Sequence, residues 1–271
     1  MKRILVAVDN SFSEALNPAG SRILNCQKTI IYILILFCYL SVVKAGPQLL
    51  SVDIDLNDTE KLQRGARIFM NYCSGCHSLK YMRYNRMAKD LGLTTFTGEV
   101  DSALLKSNLI FTSAKIFDPI ENSMPQTDAR EWFGRVPPDL SLSAREHGPD
   151  WIYTYLKSFY VDKKRPFGAN NLLVPDVAMP NVLAPLQGVI IIDKDKNGFA
   201  HSSSEFVIVD TGEMSEQQFD STIIDLVTFL TYVAEPNKTI RKSIGALILL
   251  YLFVFLIVAY QLKKLYWKDV N

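Results

Sequence analysis

The residues best equipped for chemistry sit in one short stretch, Asn71-Tyr72-Cys73-Ser74-Gly75-Cys76-His77. The spacing Cys-x-x-Cys-His reads as a covalent attachment site for a c-type haem. Two thiols one helical turn apart can both reach the vinyl groups of a porphyrin, and the histidine after the second is placed to bind the iron. Two other chemistries use the same residue types. A redox-active dithiol usually comes with a thioredoxin-like βαβ pattern, and none surrounds this motif. Half a zinc site needs two more soft ligands. The only other cysteines, Cys26 and Cys38, lie in or before an N-terminal apolar run that reads as a removable leader. The expected cofactor is one covalently bound haem c, held by Cys73 and Cys76, with His77 on the iron.

An iron with one histidine needs either a second protein ligand or an open site. A thioether partner raises the potential and suits outer-sphere electron transfer, whereas an open site suits oxygen or peroxide chemistry. Beyond Met1 the candidates are Met70, Met82, Met87, Met124, Met179 and Met214. Met70 and Met82 are too near the motif to reach the opposite haem face easily. Met124 and Met179 both precede proline in irregular chain, which can lay a side chain over a haem. His147 and His201 are rival ligands, although a lone surface histidine is the commoner fate. The residues alone leave Met179 and Met124 open, with Met179 favoured by the apolar loop around it.

The elements that must position these groups can be read from period and caps. Residues 51–86 read largely as helix, with a cap candidate in Asn57-Asp58-Thr59, and this helix delivers the chain to the motif. Residues 91–138 are irregular, a surface loop with short helices. In Val136-Pro137-Pro138-Asp139-Leu140-Ser141 the prolines make a rigid turn, and Asp139 or Ser141 could cap a following helix. Residues 151–160, WIYTYLKSFY, read as an aromatic amphipathic helix that can serve as core or haem wall. Residues 170–188 form a proline-punctuated loop containing Met179. Two strands follow, 189–193 and 206–210, joined through DKDKNG. That loop resembles a calcium-binding EF-hand at Asp193, Asp195, Asn197 and Gly198 but has Ser204 where the final glutamate belongs, so a hairpin turn is the better reading. Residues 215–234 are an amphipathic helix with one apolar side, stopped by Glu235-Pro236.

Residues 29–43 are apolar, follow Arg22 and Lys28, and end in Val43-Lys44-Ala45, a signal-peptide pattern with cleavage after position 45. An uncleaved anchor is the alternative. Residues 1–24 fit no signal pattern; an overextended start would explain them. Residues 243–262 carry no charge; at ~1.5 Å per residue they reach ~30 Å, one hydrocarbon core. Lys263, Lys264 and Lys268 follow. The expected organisation is a leader over 1–45, an exported haem domain over 46–237, a transmembrane helix over 243–262 and a cytoplasmic tail over 263–271. Residues 46–237 hold 18 Lys+Arg and 25 Asp+Glu, a net charge of −7, although the whole chain of 271 residues is at +1. An acidic domain argues against nucleic acid and suits a basic protein partner.

The ordered set of motifs resembles the cytochrome c1 family of the cytochrome bc1 complex. The resemblance rests on Cys73-Ser74-Gly75-Cys76-His77 with Ser78-Leu79 and Tyr81, Pro137-Pro138-Asp139-Leu140-Ser141, Met179-Pro180, and Tyr232-Val233-Ala234-Glu235-Pro236 before a single C-terminal span. It implies a mainly α, c-type cytochrome fold with long loops, a small β-hairpin and one C-terminal transmembrane helix. It implies His77 and Met179 as axial ligands, with Arg145 near the propionates and Trp151 in the haem pocket. It implies single-electron transfer from a Rieske iron–sulfur protein to a soluble or tethered cytochrome c, beside cytochrome b in a dimeric complex. No catalytic residue of its own is implied. The location implied is a bacterial-type inner membrane with the haem domain periplasmic, or facing the intermembrane space in a mitochondrion. The alternatives are another membrane-tethered c-type cytochrome feeding a different oxidase or reductase, and a haem enzyme such as a peroxidase with an open site.

Overall fold

A computed structural model describes residues 49–192 and 206–268. The leader, the apolar run at 29–43, the DKDKNG loop and His201 lie outside the described residues. The described chain is mainly helical, with three two-stranded antiparallel sheets.

Helix α1 (Thr59–Ile68) starts at Asp58, whose side chain accepts from Lys61 N at 3.0 Å. This satisfies one of the free N–H groups at the helix start. A π-turn (Phe69–Cys73) continues α1 directly into the thiol motif. Such wide turns occur mostly as single insertions at functional sites. The expected long helix over 51–86 is thus interrupted. Residues 79–83 form strand β1 (Leu79–Arg83), paired with β2 (Pro119–Ile120), and helix resumes as α2 (Tyr84–Asp90). Pairing across the loop sets this strand, with Leu79 and Met82 fully buried.

The loop region contains α3 (Ser102–Asn108) and α4 (Gln126–Phe133). Helix α4 ends on Gly134 at φ 70°, a left-handed cap that a side chain would strain, and the chain turns there toward Pro137-Pro138. A single turn, α5 (Ser143–Glu146), precedes α6 (Pro149–Lys157). The aromatic stretch is only partly helical, because Phe159–Val161 forms β3 and pairs with β4 (Ala169–Asn171). A further turn, α7 (Ala184–Gln187), leads to β5 (Gly188–Ile192), which pairs with β6 (Phe206–Thr211).

Helix α8 (Glu216–Ala234) is opened by a capping box between Ser215 and Gln218. Its first half is amphipathic as expected. From Asp225 to Ala234 every residue is buried, polar ones included. Thr228 and Thr231 answer that burial by donating to the carbonyls of Ile224 and Val227, each at 2.7 Å. Asp225 answers it with Arg64, whose Nε donates at 2.6 Å.

The core centres where α1 crosses α8, the most extensive contact between described helices. Gly65 makes the crossing close: a Cβ there would lie 2.1 Å from the Asp225 carbonyl oxygen. Phe69 and Phe229 meet beside it with ring centroids 5.9 Å apart. Beyond Glu235, helix α9 (Lys238–Tyr266) has a mean hydropathy of 2.6 in its most apolar window and no buried residue. Its 29 residues are long and apolar enough to cross a bilayer.

Candidate functional site

The thiol motif is wound tightly at the end of α1. Ser74 N donates to Phe69 O at 2.9 Å, His77 N to Cys73 O at 2.9 Å, and Ser74 Oγ to Met70 O at 2.7 Å. Both cysteines are free and half-buried. Burial, and then the neighbouring Cys76, push the Cys73 thiol up to about 12, and burial raises Cys76 as well. A redox dithiol works through a depressed thiol pKa, so this environment is the wrong one for that chemistry. Among the described residues no cluster of three or more His, Cys, Asp or Glu is arranged to hold an ion.

His77 is oriented by a backbone acceptor. Its Nδ1 lies 2.8 Å from Pro138 O, and because a carbonyl only accepts, Nδ1 carries the proton. Burial lowers its pKa, outweighing the Pro138 carbonyl and the Asp139 charge. Burial thus favours the neutral ring, and with Nδ1 carrying the proton that form leaves Nε2 unprotonated, the state a metal-binding histidine needs. Asp139 and Ser141 cap no helix. Asp139 instead accepts from Lys80 N and Ser141 N, each at 2.9 Å, and Ser141 Oγ accepts from Tyr81 N at 3.1 Å. The proline turn is therefore laced to β1, which holds the Pro138 carbonyl against His77. Asn122, unmarked by any sequence signal, donates its side chain to Cys76 O and its backbone N–H to Ser78 Oγ.

The methionines separate by environment. Met70, Met82 and Met87 are buried in the core. Met214 is half-buried, with Thr222 Oγ1 directed at its sulfur from 3.6 Å. Met124 follows Asn122 and so sits on the segment tied to Cys76 and Ser78. Met179 lies in the other loop, half-buried, and its Sδ accepts from Tyr155 Oη at 3.3 Å. Tyr155 stacks on Trp151 at 5.2 Å and 5°, and Trp151 stacks on His147 at 4.3 Å and 21°. On α6 the inward face, Ile152, Tyr153 and Leu156, is buried, while Trp151 and Tyr155 remain half-exposed. Arg145 is exposed on α5; its positive charge, after those of Arg241, helps hold the Glu235 carboxyl below its usual range.

The donor set fits haem c. Two thiols and a neutral imidazole with its second nitrogen committed stand on one segment. A thioether stands on another, beside half-exposed aromatic rings suited to a flat apolar macrocycle. Trp151 and Met179 are brought together through Tyr155. Pro138 belongs to the proline turn and Tyr155 to the aromatic stretch, four residues after Trp151, both legible in the sequence, but their contacts depend on the fold.

Comparison with known proteins gives a consistent result. Residues 53–270 match the model of the Cytochrome C1 family. The chain is 49% identical over 229 residues to cytochrome c1 of Allochromatium vinosum, covering 83% of this chain and 91% of that one. It is 40% identical over 218 residues to a Nitrosomonas europaea protein named ammonia monooxygenase gamma subunit, covering 80% and 87% respectively. Cytochrome c1 of Rhodospirillum rubrum is 26% identical over 232 residues, covering 79% and 83%.

Proposed function

The chain belongs to the cytochrome c1 family, and from that membership we propose a membrane-anchored monohaem electron carrier of a cytochrome bc1 complex. The observation that carries the proposal is the pairing of His77, fixed by Pro138 O, with two adjacent thiols at the end of α1. Cys73 and Cys76 would hold the haem through thioethers, and His77 and Met179 would hold its iron. When bound, the haem supplies a one-electron couple whose potential the axial ligands and their hydrogen bonds set.

The protein's own part is to bind, orient and partly shield. Pro138 keeps the imidazole in the Nε2-ligating tautomer. Trp151 and Tyr155 offer an apolar wall, and Arg145 serves a propionate. The role needs no nucleophile or general acid of its own, and quinol chemistry is left to other subunits. The donor is the Rieske iron–sulfur protein, the acceptor a soluble or tethered cytochrome c, and cytochrome b lies beside α9 in a dimeric complex. Residues 1–45 form a removable leader, 46–237 the periplasmic haem domain, 243–262 the span and 263–271 the cytoplasmic tail.

The test is purification of the full chain from membranes in mild detergent, with its haem spectrum recorded and its companions identified. Covalent haem, no carbon monoxide binding by the reduced protein at neutral pH, and cytochrome b with a Rieske protein as companions are expected. The name of the Nitrosomonas europaea relative favours a second reading, a c-type cytochrome in another assembly. Covalent haem with different companions would select that reading.

A further inference from the structure

Tyr155 does more than line a wall. Its hydroxyl lies 3.3 Å from Met179 Sδ, within reach of an O–H···S hydrogen bond. Three contacts fix the ring and its backbone: Trp151 stacked at 5.2 Å, Phe159 edge-on at 5.2 Å and 72°, and Asn171 Nδ2 donating to Tyr155 O at 2.8 Å. The same buried Asn171 accepts, through Oδ1, from Leu173 N at 2.9 Å and Val174 N at 3.1 Å. Buried Asn170 accepts from Asp176 N at 2.9 Å, and Arg165 Nη2 donates to Asp176 O at 2.7 Å. These bonds pin the loop that carries Met179 to β4, and Asn171 ties β4 to the backbone of Tyr155. Hydroxyl and sulfur are thus set by two segments locked to each other.

We propose that Tyr155 is a positioning residue for the Met179 thioether, tuning through its hydroxyl how strongly that sulfur donates to iron. The proposal rests on Met179 as the iron ligand. A thioether sulfur has two lone pairs and is a weak acceptor, so one can face the metal while the other accepts the hydroxyl's hydrogen bond. The hydrogen bond draws density from sulfur, and ferric iron depends on that density more than ferrous iron. The bond therefore favours the reduced state and raises the potential, as second-shell hydrogen bonds do at other metal sites. It also holds the thioether in a ligating orientation.

The experiment uses the full-length holoprotein extracted from membranes. Tyr155→Phe removes one oxygen and leaves the stacked ring. It is expected to keep the low-spin, carbon-monoxide-resistant spectrum and to lower the potential. At a fixed ambient potential the ferric-to-ferrous ratio should rise about three- to tenfold, roughly 30–60 mV at ~59 mV per tenfold for one electron. Cyanide should displace the sixth ligand of the ferric protein several-fold faster. An unchanged potential together with unchanged cyanide kinetics would overturn the proposal. Met179→Ala separates the two layers. If it leaves the spectrum unaltered, the ligand assignment itself fails. If it opens the site to carbon monoxide while Tyr155→Phe changes nothing, only the role of Tyr155 fails. Should Tyr155→Phe not fold, 3-fluorotyrosine incorporated at position 155 decides the matter: its more acidic hydroxyl should raise the potential, and an unmoved potential overturns the proposal.

Discussion

Gly65→Ala probes the crossing that aims the thiol motif. The added methyl would lie 2.1 Å from the Asp225 carbonyl oxygen and 2.7 Å from both the Asp225 carbonyl carbon and Phe229 Cβ. Two of these atoms are backbone and cannot swing aside, so α1 and α8 must move apart by about 1.3 Å to restore an ordinary contact of about 3.4 Å. Overpacking of this kind costs about 1–3 kcal/mol, occasionally more. Separation also weakens the Phe69–Phe229 pair, worth about 0.5–1.5 kcal/mol, and stretches the Arg64–Asp225 bond. Against this, alanine favours helix over glycine by about 1 kcal/mol. The net expectation is a loss of about 0.5–3.5 kcal/mol, seen as a fall of roughly 1–14 °C in the unfolding midpoint for a domain of this size. The assay is thermal unfolding of the full chain in detergent, followed by circular dichroism and haem absorbance together. Because α1 runs without a break into Cys73, covalent haem incorporation during expression should also fall. A midpoint equal to or above that of the wild type would refute the reasoning, since the helix-propensity gain would then be unopposed.

Two further perturbations read other parts of the site. Asn122→Ala leaves the Cys76 carbonyl without its side-chain donor; a loss of about 1–2 kcal/mol is expected in denaturant unfolding, and none would mean that solvent replaces the bond freely. Asp220 receives hydrogen bonds from Lys157 and Tyr153, and these outweigh its burial to hold the carboxyl below 3.8. A depressed carboxyl pKa contributes stability that is present above the unfolded value and lost as pH falls through the folded one. Asp220→Asn should therefore destabilise near neutrality and flatten the acid limb of the stability curve below about pH 4; identical acid limbs for the two proteins would contradict the assignment.

Residue chemistry alone marked the paired thiols, the histidine after them, the capped helix that leads into them and the apolar C-terminal helix. Each is local: the haem motif is a fixed spacing, a cap is one side chain on a nearby N–H, and a span is a run of apolar residues. The pairing of 79–83 with 119–120 escaped because a strand only five residues long draws its partner from a distant loop. The all-round burial of 225–234 escaped because a period of hydrophobicity reports one contact face, whereas α1 and its neighbours enclose the helix end and Thr228, Thr231 and Asp225 satisfy their polar groups internally. The choice between Met124 and Met179 was open for the same reason. Both are Met-Pro in irregular chain, and only the fold ties the Met124 segment to Cys76 and Ser78 through Asn122 and sets Met179 against Tyr155. Composition and spacing name the atoms that can bind. Which of those atoms are already engaged in a hydrogen bond is decided by groups some 24 to 61 residues away, the Tyr155 hydroxyl and the Pro138 carbonyl, and only tertiary structure brings them into reach.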